Sequence, residues 1–124
     1  MNLNQITLPA KDIQLSVAFY RELGFTQIVS ADHYARFESI EGESTFSLHK
    51  VSDDVENISA VIYFETHNLE DVVNDLKAKG FVFEQEIQAQ PWLWREARLR
   101  DPSNNQICIY YAGDNRRNPP WRLK

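Results

Sequence analysis

The chain has 124 residues, 43% of them hydrophobic and 25% charged, with a formal net charge of −5. These values fit one ordinary globular domain, and the acidic balance argues against general binding to nucleic acid. The longest apolar runs, Ala60–Phe64 and Ile107–Ala112, are too short to span a bilayer. A single cysteine, Cys108, excludes an internal disulfide, and the amino terminus shows no secretory signal, so we expect a cytoplasmic protein.

The first predicted elements are a strand over Leu3–Leu8 and a helix over about Ile13–Leu23. Asp12 is of a type that caps helices, and Gly24 stands where a left-handed residue ends one. Three strand-like runs follow, over Thr26–Ser30, Tyr34–Ser39 and Thr45–Lys50. The acidic stretch Ser52–Asn57 then forms the predicted linker.

The second half repeats this design. A strand over Ser59–Glu65 precedes the helix of "NLEDVVNDLKAKGF", in which Asn68 is the expected cap and Gly80 the end. The two helical segments align in sequence at an offset of 56 residues, which matches Gly24 with Gly80, for example. Further strands are predicted over Val82–Ile87, Trp94–Arg100 and Gln106–Tyr111. The sequence therefore predicts one domain, 1–124, made of two βαβββ modules (about 1–51 and 58–113) and a tail, 114–124.

Two motifs carry a family resemblance. "LPAKDIQLSVAFYRELGF", followed at a distance by "RDPSNNQICIYY", resembles the vicinal oxygen chelate superfamily, which includes glyoxalase I, extradiol dioxygenases and bleomycin-resistance proteins. The resemblance extends over essentially the whole chain. It implies an α+β fold in which tandem βαβββ modules form a curled, mixed-sheet cleft with the helices on the outer face. It also implies a homodimer that holds a small organic ligand.

Strand alternation sorts the residues that should line this cleft, because successive side chains point to opposite faces of a sheet. The ligand-binding residues we expect there supply flat apolar rings and polar anchors: Gln5, Arg36, Tyr63, Trp92, Trp94, Glu96, Arg98, Cys108 and Tyr110. Glu96 and Arg98, two apart on one strand, could instead form an internal ion pair that needs no ligand. Both interpretations stay open at this point.

The resemblance also implies four metal-ligand positions. They fall on Gln5, Ser47, Val61 and Cys108. Valine cannot coordinate a metal, serine is a poor ligand, and cysteine favours softer ions than this family uses. We therefore expect no metal cofactor, with Gln5 a hydrogen-bonding residue. The alternative is a divalent-metal lyase, isomerase or dioxygenase with an irregular site made of Gln5, His49 and Glu65, joined by Cys108.

Acid–base catalysis without a metal would fall on His49 or Glu65, the titratable residues with the best claim on the cleft. Trp92 and Trp94 follow Pro91, and the tail "RRNPPWRLK" is basic. We expect this tail to contact the tryptophan segment, either around a ligand or in a dimer. A metal-free protein that sequesters a small organic molecule, on the model of bleomycin-resistance proteins, is the preferred function.

Overall fold

A computed structural model describes residues 2–56 and 60–124. The elements, in chain order, are β1 (Gln5–Ala10), α1 (Ile13–Leu23), β2 (Thr26–Ala31), β3 (Tyr34–Glu38), β4 (Thr45–Lys50), β5 (Val61–Glu65), α2 (Leu69–Ala78), β6 (Gln85–Ala89), β7 (Arg95–Arg100), β8 (Gln106–Tyr111) and a final 3-10 turn, Gly113–Arg116. This α+β arrangement, βαβββ twice over, confirms the predicted fold class.

The contacts divide the chain into two compact units. Unit 1 comprises Met1–Ile58 and the turn Asp101–Asn105, and unit 2 comprises Ser59–Arg100 and Gln106–Lys124. Each contains a four-stranded sheet, in the order β1-β4-β3-β2 or β5-β8-β7-β6. In both sheets the first and last strands of the module pair in parallel and the remaining neighbours are antiparallel. The sequence repeat is thus a repeat of topology.

The helix of unit 1 begins and ends where local chemistry predicts. The Asp12 carboxylate accepts a hydrogen bond from the Leu15 amide (3.0 Å), and Gly24 has a φ of 118°. That left-handed conformation is one that residues with a Cβ rarely adopt. The apolar side of α1 is buried against alternate residues of the sheet, with Tyr20 at its centre, in ring contact with Phe37 and Phe46.

The turn Asp101–Asn105 is the polar part of the interior of unit 1. The Asp101 carboxylate accepts hydrogen bonds from the Tyr20 hydroxyl (2.7 Å) and from the amides of Ser103 (2.9 Å) and Asn105 (2.8 Å). The side-chain amide of Asn105 donates both to this carboxylate (2.8 Å) and to the Pro9 carbonyl (2.9 Å). The Asp-Pro-Ser-Asn-Asn motif therefore has a structural role here.

The helix of unit 2 differs from prediction at its start. Asn68 precedes α2 as expected, but its side chain makes no capping hydrogen bond. The Thr66 hydroxyl instead accepts a bond from the Asn68 amide (3.1 Å). Glu70 and Asp71 in the first turn favour the start of the helix through its dipole. The apolar side of α2 is buried in unit 2 through Leu69, Val73 and Leu76.

Some predicted strand limits were wrong by one to three residues. β1 begins at Gln5 and continues to Ala10, two residues past its predicted end, β6 begins at Gln85, and β7 begins one residue after Trp94. Strand ends depend on which partner is available for hydrogen bonding, which local sequence does not report. The predicted linker and the predicted start of β5 fall partly outside the described residues. Within the described residues, neither helix has the length and apolar character needed to cross a membrane.

Candidate ligand-binding site

One side of the unit 2 sheet brings together most of the predicted ligand-binding residues. Strand register places Tyr63, Cys108 and Arg98 side by side across β5, β8 and β7, with Tyr110 and Glu96 paired in the next such row. The alternate residues Ile107, Ile109, Ala97 and Leu99 are buried on the opposite side, where α2 contacts β8. We call the first side, with Trp92 and Trp94 beside it, the aromatic face.

Three rings form the centre of the aromatic face. Trp94 stacks on Tyr110, with centroids 4.8 Å apart and planes inclined by 25°. Tyr63 meets both rings edge-on, at 5.8 Å from Trp94 and 5.4 Å from Tyr110. Tyr110 is buried, whereas Tyr63 keeps 41% of its surface exposed. The cluster therefore presents Tyr63 to solvent on a rigid aromatic support.

A buried ion pair lies beside these rings. Glu96 is only 1% exposed, and its carboxylate accepts a hydrogen bond from the Arg98 guanidinium (3.0 Å) and one from the Trp92 indole (2.7 Å). Arg98 also donates to the Tyr63 hydroxyl (3.3 Å), and its guanidinium lies 5.9 Å from the centre of that ring. The internal pair predicted as one alternative is present, and Arg98 also reaches the exposed ring.

Contact between the tryptophan segment and the tail is confirmed at one point. The Trp94 indole donates to the carbonyl of Asn115 at 3.3 Å, within unit 2. Trp92 lies before β7 and remains 42% exposed. Trp121, in the tail itself, is also largely exposed.

Cys108 lies in a small apolar cluster with Tyr110 and Ala112, packed by Val61 and Trp94. Burial, followed by the negative charge of Glu96, raises the pKa of the Cys108 thiol to about 12. The protonated thiol is a poor nucleophile. Cys108 thus acts as a small hydrophobic residue within the aromatic face.

This pKa predicts a loss of stability in alkali. In the unfolded chain a cysteine loses its proton near a pKa of about 8.5, well below the folded value. Above that pH the unfolded state binds fewer protons than the folded state, so the free energy of unfolding should fall as pH rises. We expect Cys108→Ala to flatten this fall between about pH 8 and pH 10, before tyrosines ionise. Urea unfolding across the range measures both slopes; equal slopes would contradict the assignment.

Of the two predicted catalytic residues, Glu65 is held by hydrogen bonds to the backbone. Its carboxylate accepts from the amides of Ala112 (2.8 Å) and Gly113 (3.0 Å), at the start of the 3-10 turn, and lies 3.7 Å from Arg116. These contacts explain Glu65 as a cap of the tail. His49 is exposed on β4 of unit 1, opposite Tyr34 in the register.

Gln5 and Arg36 belong to a second group, in unit 1, which we call the polar cluster: Gln5, Tyr34, Arg36 and Ser47. The Gln5 amide donates to the Ser47 hydroxyl (2.7 Å), which lies 2.5 Å from the Tyr34 hydroxyl. Arg36 donates to Tyr34 at 2.9 Å. Tyr34 was not among the predicted site residues. Its position two residues before Arg36 on one strand was the available signal, since both side chains then share a face.

The two sheets place an arginine at the same position. Arg36 on β3 lies opposite Ser47 on β4, and Arg98 on β7 lies opposite Cys108 on β8. Each arginine also bonds the side chain two residues before it, Tyr34 or Glu96. The register thus reveals an equivalence that the constant offset of 56 misses, because these strands are separated by 62 residues in the chain.

The residues at the metal positions of the family do not fit a metal. The amide nitrogen of Gln5 is bound to Ser47 and to the Ile6 carbonyl, its amide oxygen accepts from Thr45, and Val61 offers no ligand atom. Cys108 is buried, and a cysteine ligand favours softer ions than this family uses. In the described part of the chain, no three His, Cys, Asp or Glu side chains converge as a metal site would require. Of the alternative set, Gln5 already uses its amide in these hydrogen bonds, and the Glu65 carboxylate accepts from the backbone amides of Ala112 and Gly113.

An open groove of about 840 Å³ lies elsewhere in unit 1, beside the first turn of α1. Side chains of both charges line it, including Lys11, Asp12, Asp32 and Lys50. None of the predicted site residues does. Because no Phe, Tyr or Trp lines this groove, we place the candidate site on the aromatic face instead.

The fold defines a class of protein: two βαβββ units, each with a helix on one side of its sheet. The aromatic face and the polar cluster each lie on one of these sheets. The family model described as "Glyoxalase/Bleomycin resistance protein/Dioxygenase superfamily" matches residues 2–109. The chain belongs to this superfamily, as the two sequence motifs predicted.

Solved structures show the same fold at low sequence identity. A bleomycin-binding protein complexed with bleomycin is 16% identical, with a TM-score of 0.74, covering 90% of this chain and 98% of its own. A glyoxalase/bleomycin resistance protein/dioxygenase from Nocardioides is 19% identical (TM-score 0.78; 100% and 90% covered). A lactoylglutathione lyase from Agrobacterium tumefaciens is 15% identical (TM-score 0.73; 98% and 97% covered). The search of curated proteins found no match.

Proposed function

We propose that this protein binds a small organic molecule with an aromatic ring on the aromatic face, without a metal of the family type. The observation that carries this proposal is the exposed Tyr63 ring, held edge-on against Trp94 and Tyr110 with Arg98 beside it. An exposed ring on a rigid aromatic support loses little conformational entropy when a flat ligand packs against it.

The charges of the site favour a ligand that is partly charged. Glu96 is buried and bonded to Arg98 and Trp92, so it has little surface left for a ligand. The side chain of Arg98 is 25% exposed, and within the described residues its hydrogen bonds all use one terminal nitrogen. The other guanidinium donors remain for an acceptor on the ligand.

Superfamily membership supports a ligand-binding role, and the bleomycin-binding structure is an example of one in this fold. Bleomycin itself is one compound to test. The basic tail at Arg116–Lys124 does not favour that drug, and the ligand we expect is smaller. Homodimerisation, a cytoplasmic location and a site without metal remain part of the proposal.

The test is calorimetric titration with four compounds: 1-naphthoate, 1-naphthylmethylammonium, neutral 1-naphthalenemethanol and bleomycin. We expect at least one naphthalene compound to bind, and Tyr63→Ala to weaken it by about 0.5–1.5 kcal/mol, the contribution of one aromatic pair. That is roughly a twofold to thirteenfold rise in Kd. Trp121→Ala removes another exposed aromatic ring, in the tail, and is the matched control. Absence of binding by all four compounds, or equal binding by the Tyr63 variant, would refute the proposal.

A further inference from the structure

The polar cluster of unit 1 has a chemistry that the aromatic face lacks. It links a guanidinium, a phenol, a buried hydroxyl and an amide through consecutive hydrogen bonds: Arg36 to Tyr34 (2.9 Å), Tyr34 to Ser47 (2.5 Å) and Gln5 to Ser47 (2.7 Å). These residues lie on β1, β3 and β4, so the sheet register holds them together. None of them serves the proposed site in unit 2.

The direction of each hydrogen bond follows from the partners. The Gln5 nitrogen is identified as the amide donor because it also lies 2.9 Å from the Ile6 carbonyl, which can only accept. Ser47 therefore accepts from Gln5. The Ser47 side chain is completely buried, and Tyr34 is its other partner. Since buried hydroxyl protons are used in hydrogen bonds, Ser47 donates to the Tyr34 oxygen.

The Tyr34 oxygen consequently accepts two hydrogen bonds, one from Ser47 and one from Arg36. Both lone pairs are then occupied, and its own proton is directed to neither partner. Tyr34 is only half-buried, which fits a hydroxyl proton that is directed to solvent. Two donors and a positive charge also favour the phenolate. The hydrogen bond from Ser47, followed by the one from Arg36, lowers the pKa of Tyr34.

The neighbouring strands present few other charges to Tyr34. On β4 the opposite residue is His49, which adds positive charge when protonated, and on β2 the opposite residue is Ala31. Gln5 on β1 is uncharged, and β3 itself carries Arg36, which bonds the phenol, and Glu38, which lies at the far end of the strand opposite Thr45. The charged group in hydrogen-bond contact with the phenol is therefore positive, which suits an anionic oxygen.

We propose that the polar cluster is a second binding site, which takes an organic molecule through an oxygen atom that carries or develops negative charge, with Tyr34 as its proton donor. Carboxylates, phenolates and enolates are the ligand classes. A carboxylate or a weakly basic phenolate accepts a hydrogen bond from Tyr34, which keeps its proton; a more basic enolate oxygen takes the proton, so that one O–H bond breaks and another forms. The phenolate left behind keeps its hydrogen bonds from Ser47 and Arg36, and return of the proton restores the phenol.

The first experiment is a titration of the intact protein that follows tyrosinate absorbance in the near ultraviolet. We expect the earliest tyrosine ionisation to disappear in Tyr34→Phe and to move to higher pH in Ser47→Ala. Tyr111→Phe, which removes a hydroxyl elsewhere, should retain it. If Tyr34→Phe leaves the earliest ionisation in place, the proposal is wrong.

The second experiment uses 4-nitrophenol, whose phenol and phenolate forms have different colours. Bound at the polar cluster, it should ionise at lower pH than in free solution, because Tyr34 and Arg36 stabilise its phenolate. We expect Tyr34→Phe to abolish this shift and Tyr111→Phe to retain it. No shift in the wild-type protein, or an equal shift in the Tyr34 variant, would overturn the proposal. The naphthalene titrations report on Tyr63 separately, so either site can fail alone.

Discussion

Replacement of Asp101 by alanine should destabilise the protein more than any other change considered for unit 1. The carboxylate is buried and accepts hydrogen bonds from Tyr20, Ser103 and, twice, Asn105. Its removal leaves these donors without their acceptor, and each buried, unsatisfied group costs about 1–3 kcal/mol. Allowing for relaxation and water entry, we expect a loss of about 4 kcal/mol, close to the whole stability of a marginal domain.

Urea denaturation followed by circular dichroism measures this loss, and soluble yield reports it if the variant does not fold. Tyr20→Phe removes one donor and leaves the other bonds to Asp101 intact, so its expected cost is about 1–2 kcal/mol. Asp53→Ala, an exposed carboxylate in the loop after β4, serves as the control and should change stability by less than about 0.5 kcal/mol. A loss below about 1 kcal/mol for Asp101→Ala would show that the turn is not a structural centre.

Glu96→Ala is expected to have the largest effect in unit 2. Breaking a buried pair costs about 3–5 kcal/mol, because the remaining charge is left uncompensated. Arg98 keeps a quarter of its side chain in solvent, so water can compensate it in part. The expected loss is therefore about 2–3 kcal/mol, and it includes the unpaired indole of Trp92.

A double-mutant cycle with Arg98→Met separates the pair from the packing. If the ion pair with Arg98 accounts for most of the contribution of Glu96, the double variant should lose less stability than the two single variants together. We expect this difference in the free energy of unfolding to be about 1 kcal/mol or more. Glu86→Ala breaks the exposed pair with Lys77 and should cost less than about 0.5 kcal/mol. Equal losses for Glu96→Ala and Glu86→Ala would contradict the buried pair.

Local chemistry explains why the fold could be predicted so closely. Asp12, Gly24 and Gly80 act within one turn of a helix, and their effects do not depend on distant residues. The burial of Phe46 and Leu48, two residues apart on β4, likewise follows strand alternation. Asn68 was the exception, since its side chain makes no capping bond and the helix starts without one.

The candidate site was predictable only as a set of residues on a face. Alternation indicated that Tyr63, Glu96, Arg98 and Tyr110 share a side of the sheet. It could not decide that Glu96 would be buried with Trp92 and Arg98, nor that Glu65 would cap the tail. Tyr34 was missed because its importance comes from Ser47, a residue on another strand.

The sequence by itself determined the superfamily, the two helices, the sequence of strands along the chain and the side of the sheet on which each side chain lies. These features follow from patterns that recur within a few residues. Tertiary structure decided which polar groups meet, such as Tyr20 with Asp101, 81 residues apart. It also gave Arg36 and Arg98 equivalent register positions, each within its own sheet. Strand register and burial fix such contacts, and both depend on the whole chain being folded.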